Sequence, residues 1–153
     1  MKKVLAMILA LVMALSLVAC SNGGTDKPDD NTETKKIKVG FITLHDENST
    51  YDLNFINAAK AAIKNLGLTD ADYILKTNIP EGQECFDTAC DLAEQGCNII
   101  FADSFGHESF MIEAAKEFPN VQFCHSTGVR AHTEGLSNYH NAFASIYEGR
   151  YLA

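Results

Sequence analysis

Ile37-Lys38-Val39-Gly40-Phe41-Ile42-Thr43-Leu44 runs straight into the polar stretch His45-Asp46-Glu47-Asn48-Ser49-Thr50. Tyr51, Phe55, Ala58, Ala59, Ala62, Ile63 and Leu66 follow. The first stretch is apolar and branched, as a strand buried on both faces must be. The last set recurs at steps of one, three and four, which is one face of a helix. Ser49 or Thr50 can cap that helix and Gly67 can end it. A buried strand, a polar loop and an amphipathic helix form one α/β unit.

Downstream the unit repeats. Asp72–Lys76 is a second strand and Pro80-Glu81-Gly82 a turn. Gln83–Gln95 is a helix with Phe86, Ala89, Cys90 and Ala93 on one face. Asn98–Ala102 is a third strand and Glu108–Phe118 a third helix, stopped before Pro119. Val121–Cys124 is a fourth strand. A loop through Gly128, His132 and Gly135 leads to a short fifth strand near Ser137–His140, and a helix begins at about Ile146. Alternation of this kind predicts a doubly wound parallel sheet with helices on both faces. Ligands of such sheets bind beyond the carboxyl ends of the strands, where strand order reverses. For the order 2-1-3-4-5 the segments 45–52, 103–107 and 125–127 face that crevice. The last helix meets no stop signal, so the pattern is expected to run on into a second lobe.

Upstream the composition changes. Lys2 and Lys3 precede Val4–Ala19, which holds no charge and only Ser16 as a polar side chain. The run is short for a membrane span, which takes about 20 residues, and suits a signal peptide over residues 1–19. Leu17-Val18-Ala19-Cys20 resembles a bacterial lipoprotein box, with Cys20 the residue that takes the lipid. Residues 20–36 carry Gly23-Gly24, Pro28 and Asp29-Asp30 with almost nothing apolar, and read as a tether. Residues 37–153 form the α/β lobe. The whole chain has 12 basic and 20 acidic residues, a formal charge of −8. Loss of the leader removes two lysines and leaves a formal −10. A chain so acidic has no cationic surplus for a nucleic-acid backbone, and charge alone will not hold it on anionic lipid.

Several residues of the crevice segments carry ligand chemistry. Tyr51 either stacks on a flat ring or packs as the first core residue of its helix. Asp52 either accepts hydrogen bonds from a ligand edge or caps the helix. Asp46 sits in a solvated loop within reach of that edge. Ser104, Phe105, Gly106 and His107 follow the third strand. Gly106 permits close backbone approach, Phe105 offers an apolar wall, and the helix start offers N–H groups. The competing reading is a plain strand-to-helix turn capped by Asp103 or Ser104. Ser126 and Thr127 end the fourth strand.

His45, His107 and His125 each follow a strand and, with Asp46 or Asp103, suit zinc or manganese, though no metal-ligand spacing signature is present. Cys85, Cys90, Cys97 and Cys124 read as free thiols. No motif calls for a cofactor. The chain has no Gly-x-Ser-x-Gly elbow, no phosphate loop, and no Gly-x-Gly-x-x-Gly after the first strand, so an enzyme is not expected.

The lipobox, the polar tether, the strand Lys38-Val39-Gly40-Phe41-Ile42, the aromatic–acid pair Tyr51-Asp52 and the late helix Glu148-Gly149-Arg150-Tyr151-Leu152-Ala153 occur in that order. Together they resemble the basic membrane protein family of substrate-binding lipoproteins, whose helix-opening pair is usually an aromatic followed by Asn. The resemblance covers residues 37–153. It implies one lobe of a periplasmic-binding-protein-like (type I) fold and lipid anchoring at the extracytoplasmic face of a bacterial membrane. It further implies a purine nucleoside or base as ligand and an ABC-type permease as partner. The alternatives are a zinc- or manganese-binding lipoprotein of the same architecture and a surface nucleoside hydrolase.

Overall fold

The computed structural model describes residues 36–142 and residue 151. The leader, Cys20, the tether up to residue 35 and the helix expected from Ile146 lie outside the described residues, apart from Tyr151, which is helical. Five strands form one sheet: β1 (Val39–Ile42), β2 (Tyr73–Lys76), β3 (Ile99–Ala102), β4 (Gln122–Ser126) and β5 (Tyr139–Ala142). Every neighbouring pair is parallel and the order is β2-β1-β3-β4-β5. That is the order in which segments 45–52, 103–107 and 125–127 face one crevice. Three longer helices connect the strands: α1 (Thr50–Asn65), α2 (Gln83–Glu94) and α3 (Glu108–Glu117). Among the described residues no helix is long and apolar enough to cross a membrane.

Strand side chains alternate between the two faces. Ile42, Ile100, Ala102, Phe123 and Tyr139 join Cys85, Ala89 and Leu92 of α2 and Met111, Ile112, Ala114 and Ala115 of α3 in one buried core. Leu92, Ile100, Met111 and Phe123 expose nothing to solvent, and each large apolar group so buried is worth about 1.5–3 kcal/mol. The opposite face carries Phe41, which stacks on Phe101 with ring centroids 5.5 Å apart and meets Tyr73 edge-on at 6.2 Å. Helix α1 lies along this face. Between them runs a cleft of about 600 Å³, lined by Phe55, Ala59 and Ala62 of the helix and by Phe41 and Phe101 of the sheet.

The strands are shorter than the apolar runs suggest. Beyond Ile42 the chain leaves the ladder, because the Leu44 N–H donates to the Asp103 carboxylate at 3.1 Å rather than to a neighbouring strand. β5 starts two residues later than expected. Asn138, buried just before it, places its amide nitrogen 2.9–3.1 Å from the carbonyls of Ala115, Phe118 and Val121 and so ties the chain to the end of α3 first. The loop expected around Gly128–Gly135 contains a one-turn helix, α4 (Ala131–Glu134). Glu108 holds its approach by accepting the N–H groups of Val129 and Arg130 at 2.8 and 2.9 Å. Four residues are too few for a periodic signal.

Candidate functional site

The loops at the carboxyl ends of β1, β3 and β4 meet around Asp103. Two hydroxyls converge on its backbone carbonyl: Tyr51 donates at 3.0 Å and Ser126 at 3.1 Å. The expected neighbours of the crevice are thus brought together from α1, β3 and β4. Tyr51 sits in the first turn of α1, is 48% exposed, and leans on Phe55 with centroids 5.4 Å apart. Its ring is not a core residue. Burial first, then the carboxylates of Asp103 and Asp52, push its phenol above its usual range.

Asp52 takes the structural role. It is 1% exposed, and its carboxylate accepts the Ser49 hydroxyl and the His45 N–H (2.9 Å) and faces the His45 ring at 3.2 Å. Ser49 in turn caps α1 by accepting the Asp52 N–H. Burial works against the charge of Asp52, but those donors outweigh it and hold the carboxyl at about 2. The β1–α1 loop is therefore clamped around an ionised carboxylate. Asp46 organises the tip of the same loop: it accepts the backbone and side-chain N–H of Asn48 at 3.0 and 2.9 Å. The Asn48 backbone N–H is the main reason its carboxyl lies below the usual range.

Asp103 is the electrostatic centre of the crevice. Its carboxyl is 1% exposed, with Oδ1 accepting the Leu44 N–H and Oδ2 without a partner in the structure. Burial, and next the charge of Asp52, push it up to about 7.

Beyond β3, Ser104 and Gly106 do not leave their donors open. The Ser104 hydroxyl and the Gly106 N–H (2.9 Å) both donate to Glu81, which reaches over from the β2–α2 loop. A Cβ on Gly106 would overlap that carboxylate, so glycine is what lets Glu81 in. Phe105 projects into solvent, 64% exposed. His107 is fully buried, its Nε2 2.9 Å from the Ile79 carbonyl, and belongs to the core rather than the crevice surface. His125 is likewise buried, its Nε2 2.6 Å from the Ser104 carbonyl. Burial is the first cause holding both imidazoles below the ordinary histidine value. Each of the three strand-end histidines is thus engaged by a different partner, and among the described residues no three His, Cys, Asp or Glu side chains gather in a metal-binding group. The four cysteines from Cys85 to Cys124 are unpaired, and burial pushes the Cys85 thiol up to about 12.

Two residues at these loops hold the left-handed backbone: Asn78 (φ 59°) and Thr127 (φ 65°). For a β-branched threonine this conformation is costly, and such strain gathers at binding and switch regions. The apolar cleft under α1 reaches the crevice only at its Asp103–Ser126 end. A polar ligand edge finds partners there and not along the alanine- and phenylalanine-lined remainder. From the sequence alone Glu81 reads as a turn residue, and Asp103 as the first residue of a crevice segment, a cap or a metal ligand. Neither role was visible without knowing which loops meet.

A scan against protein-family models finds no match. A purine-binding protein of Brucella abortus is 33% identical over 121 residues, which is 77% of this chain and 33% of that protein. A putative ABC transporter glucose-binding protein of Haloferax volcanii is 36% identical over 61 residues, 40% of this chain and 15% of its own length. The chain therefore spans a third or less of the length of these curated relatives. Among solved structures, an ABC transporter solute-binding protein from Conexibacter woesei superposes with a TM-score of 0.60 at 17% identity, over 70% of this chain and 35% of that one. The fold is periplasmic-binding-protein-like. A transcriptional activator from Bacillus halodurans shares it at a TM-score of 0.51 and 19% identity, over 60% of this chain and 30% of the other. The fold alone therefore does not select the function.

Proposed function

We propose that this chain is the ligand-capturing lobe of an extracytoplasmic solute-binding lipoprotein of the basic membrane protein type. It takes a purine nucleoside or base and presents it to an ABC-type importer. The observation that carries the reading is the half-exposed Tyr51 ring, fixed by its hydroxyl at the strand tops beside Ser126 and Asp103. A purine needs a flat apolar plate and a few placed polar groups, and a stacked base gains about 1–3 kcal/mol on such a ring. The purine-binding name of the Brucella relative favours the same class of ligand. The lipid on Cys20 would hold the protein at the membrane, and closure of a second lobe over the ligand would be the state that the permease reads. The work done is binding, without chemistry.

Titration calorimetry on the full chain tests this. Adenosine, guanosine, inosine and adenine are titrated beside glucose, zinc and manganese. Saturable heat from at least one purine is expected. Heat from glucose alone or from metals alone overturns the purine reading, and release of free base from a nucleoside would make the protein an enzyme.

A further inference from the structure

A ligand phosphate needs several N–H or O–H donors, and in this crevice the donors best placed to supply them are already taken. The Ser104 hydroxyl and the Gly106 N–H both point at one oxygen of Glu81. The surrounding loops add no cation to compete. Segments 43–52, 77–82, 103–108 and 125–129 contain Asp46, Glu47, Asp52, Glu81, Asp103 and Glu108 but no lysine or arginine. Arg130, next in the chain, is turned to Glu134 and to the Ser109 hydroxyl. Asp46 extends the acidic rim toward the β2–α2 loop, where the Asn78 amide lies 3.5 Å from its carboxylate.

We propose that Glu81 is a specificity-determining residue, an exposed carboxylate of the protein's own that occupies the Ser104–Gly106 donor pair and so bars phosphorylated ligands. The inference rests on the reading of the strand tops as a purine site and narrows its ligand to uncharged nucleosides and bases. The geometry gives Glu81 this role rather than a simple cap. Gly106 is bare where the carboxylate enters, and a second carboxylate from any ligand, or a phosphate, would meet a charge of its own sign there. Glu81 itself stays ionised, since the Ser104 hydroxyl and then the Gly106 N–H hold its carboxyl below the usual range.

The test compares adenosine with adenosine 5′-monophosphate on the full chain by titration calorimetry, for wild type, Glu81→Gln and Glu81→Ala. The readout is the affinity ratio of the two ligands within each protein. Wild type is expected to favour adenosine by more than about tenfold. Glu81→Ala narrows that ratio by about tenfold, roughly 1.4 kcal/mol, and Glu81→Gln narrows it less, because its amide oxygen still accepts from Ser104 and Gly106. A second arm needs no purine. Inorganic phosphate, at constant ionic strength, raises the melting temperature of Glu81→Ala but not of wild type. Should Glu81→Ala fail to fold, the same comparisons are read on Glu81→Gln. An unchanged ratio in folded variants that still bind adenosine overturns the role of Glu81 while the purine reading stands. Wild type that ignores every purine overturns both.

Discussion

Asp103→Asn is expected to make the protein more stable than wild type above pH 7. Asp103 is 1% exposed, one of its oxygens has no partner, and Asp52 beside it is already ionised. Burial, then that neighbouring charge, raises its carboxyl from 3.8 to about 7. A raised carboxyl contributes stability that is complete below its unfolded value and is lost as pH climbs through its folded one. The loss therefore falls between about pH 4 and pH 7, and at 1.36 kcal/mol per unit it amounts to about 4 kcal/mol. Asn keeps an oxygen for the Leu44 N–H and offers its amide to Asp52, so it carries no such loss. The buried His107 and His125 titrate in the opposite sense, each being destabilised on protonation, and Tyr51 and His45 also face the pair. For that reason the readout is the difference between variant and wild type. Thermal melts at pH 5, 7 and 8.5 should show Asp103→Asn gaining on wild type by on the order of 10 °C across that range. A constant offset at all three values would contradict the buried, protonated carboxyl.

Gly128→Ala is expected to cost about 3 kcal/mol or more. An added Cβ would overlap the Asn141 amide, the His125 ring and the Glu108 carboxylate at once. None of the three is free to retreat. Glu108 accepts the N–H groups of Val129 and Arg130, Asn141 accepts the Ala131 N–H at 2.7 Å, and His125 is bound to the Ser104 carbonyl. Hydrogen bonds to an ionised group are worth about 1.5–3 kcal/mol each, so relief of the overlap breaks something of that size. Because this knot joins β4, β5 and the loop between them to the start of α3, purine binding should weaken along with stability. An unfolding free energy from denaturant titration within about 1 kcal/mol of wild type would show that the loop yields more easily than the packing implies.

The fold was legible because the central strands carry apolar side chains on both faces and each long helix has one apolar stripe. Val39, Phe41, Ile99 and Phe101 turn to α1 while Ile42, Ile100 and Phe123 turn to α2 and α3, and both sets are apolar. Strand ends were less legible, since side chains set them: Asp103 takes Leu44 out of the ladder and Asn138 delays β5. The crevice was legible as a place, and Tyr51 and Ser126 do meet there. The division of labour among its carboxylates was not. Asp52 is consumed by its own loop, and Glu81 acts across 25 residues of sequence on Gly106. No local spacing encodes a contact made by two loops that only the sheet order brings together.

The most direct measurement is purine affinity of wild type, Tyr51→Phe and Tyr51→Ala by titration calorimetry on the full chain. Loss of the ring should weaken binding by about 5- to 150-fold, the equivalent of 1–3 kcal/mol of stacking, while Tyr51→Phe, which keeps the plate and loses only the bond to Asp103, should stay close to wild type. Tyr51→Ala that binds purine as tightly as wild type would contradict the account.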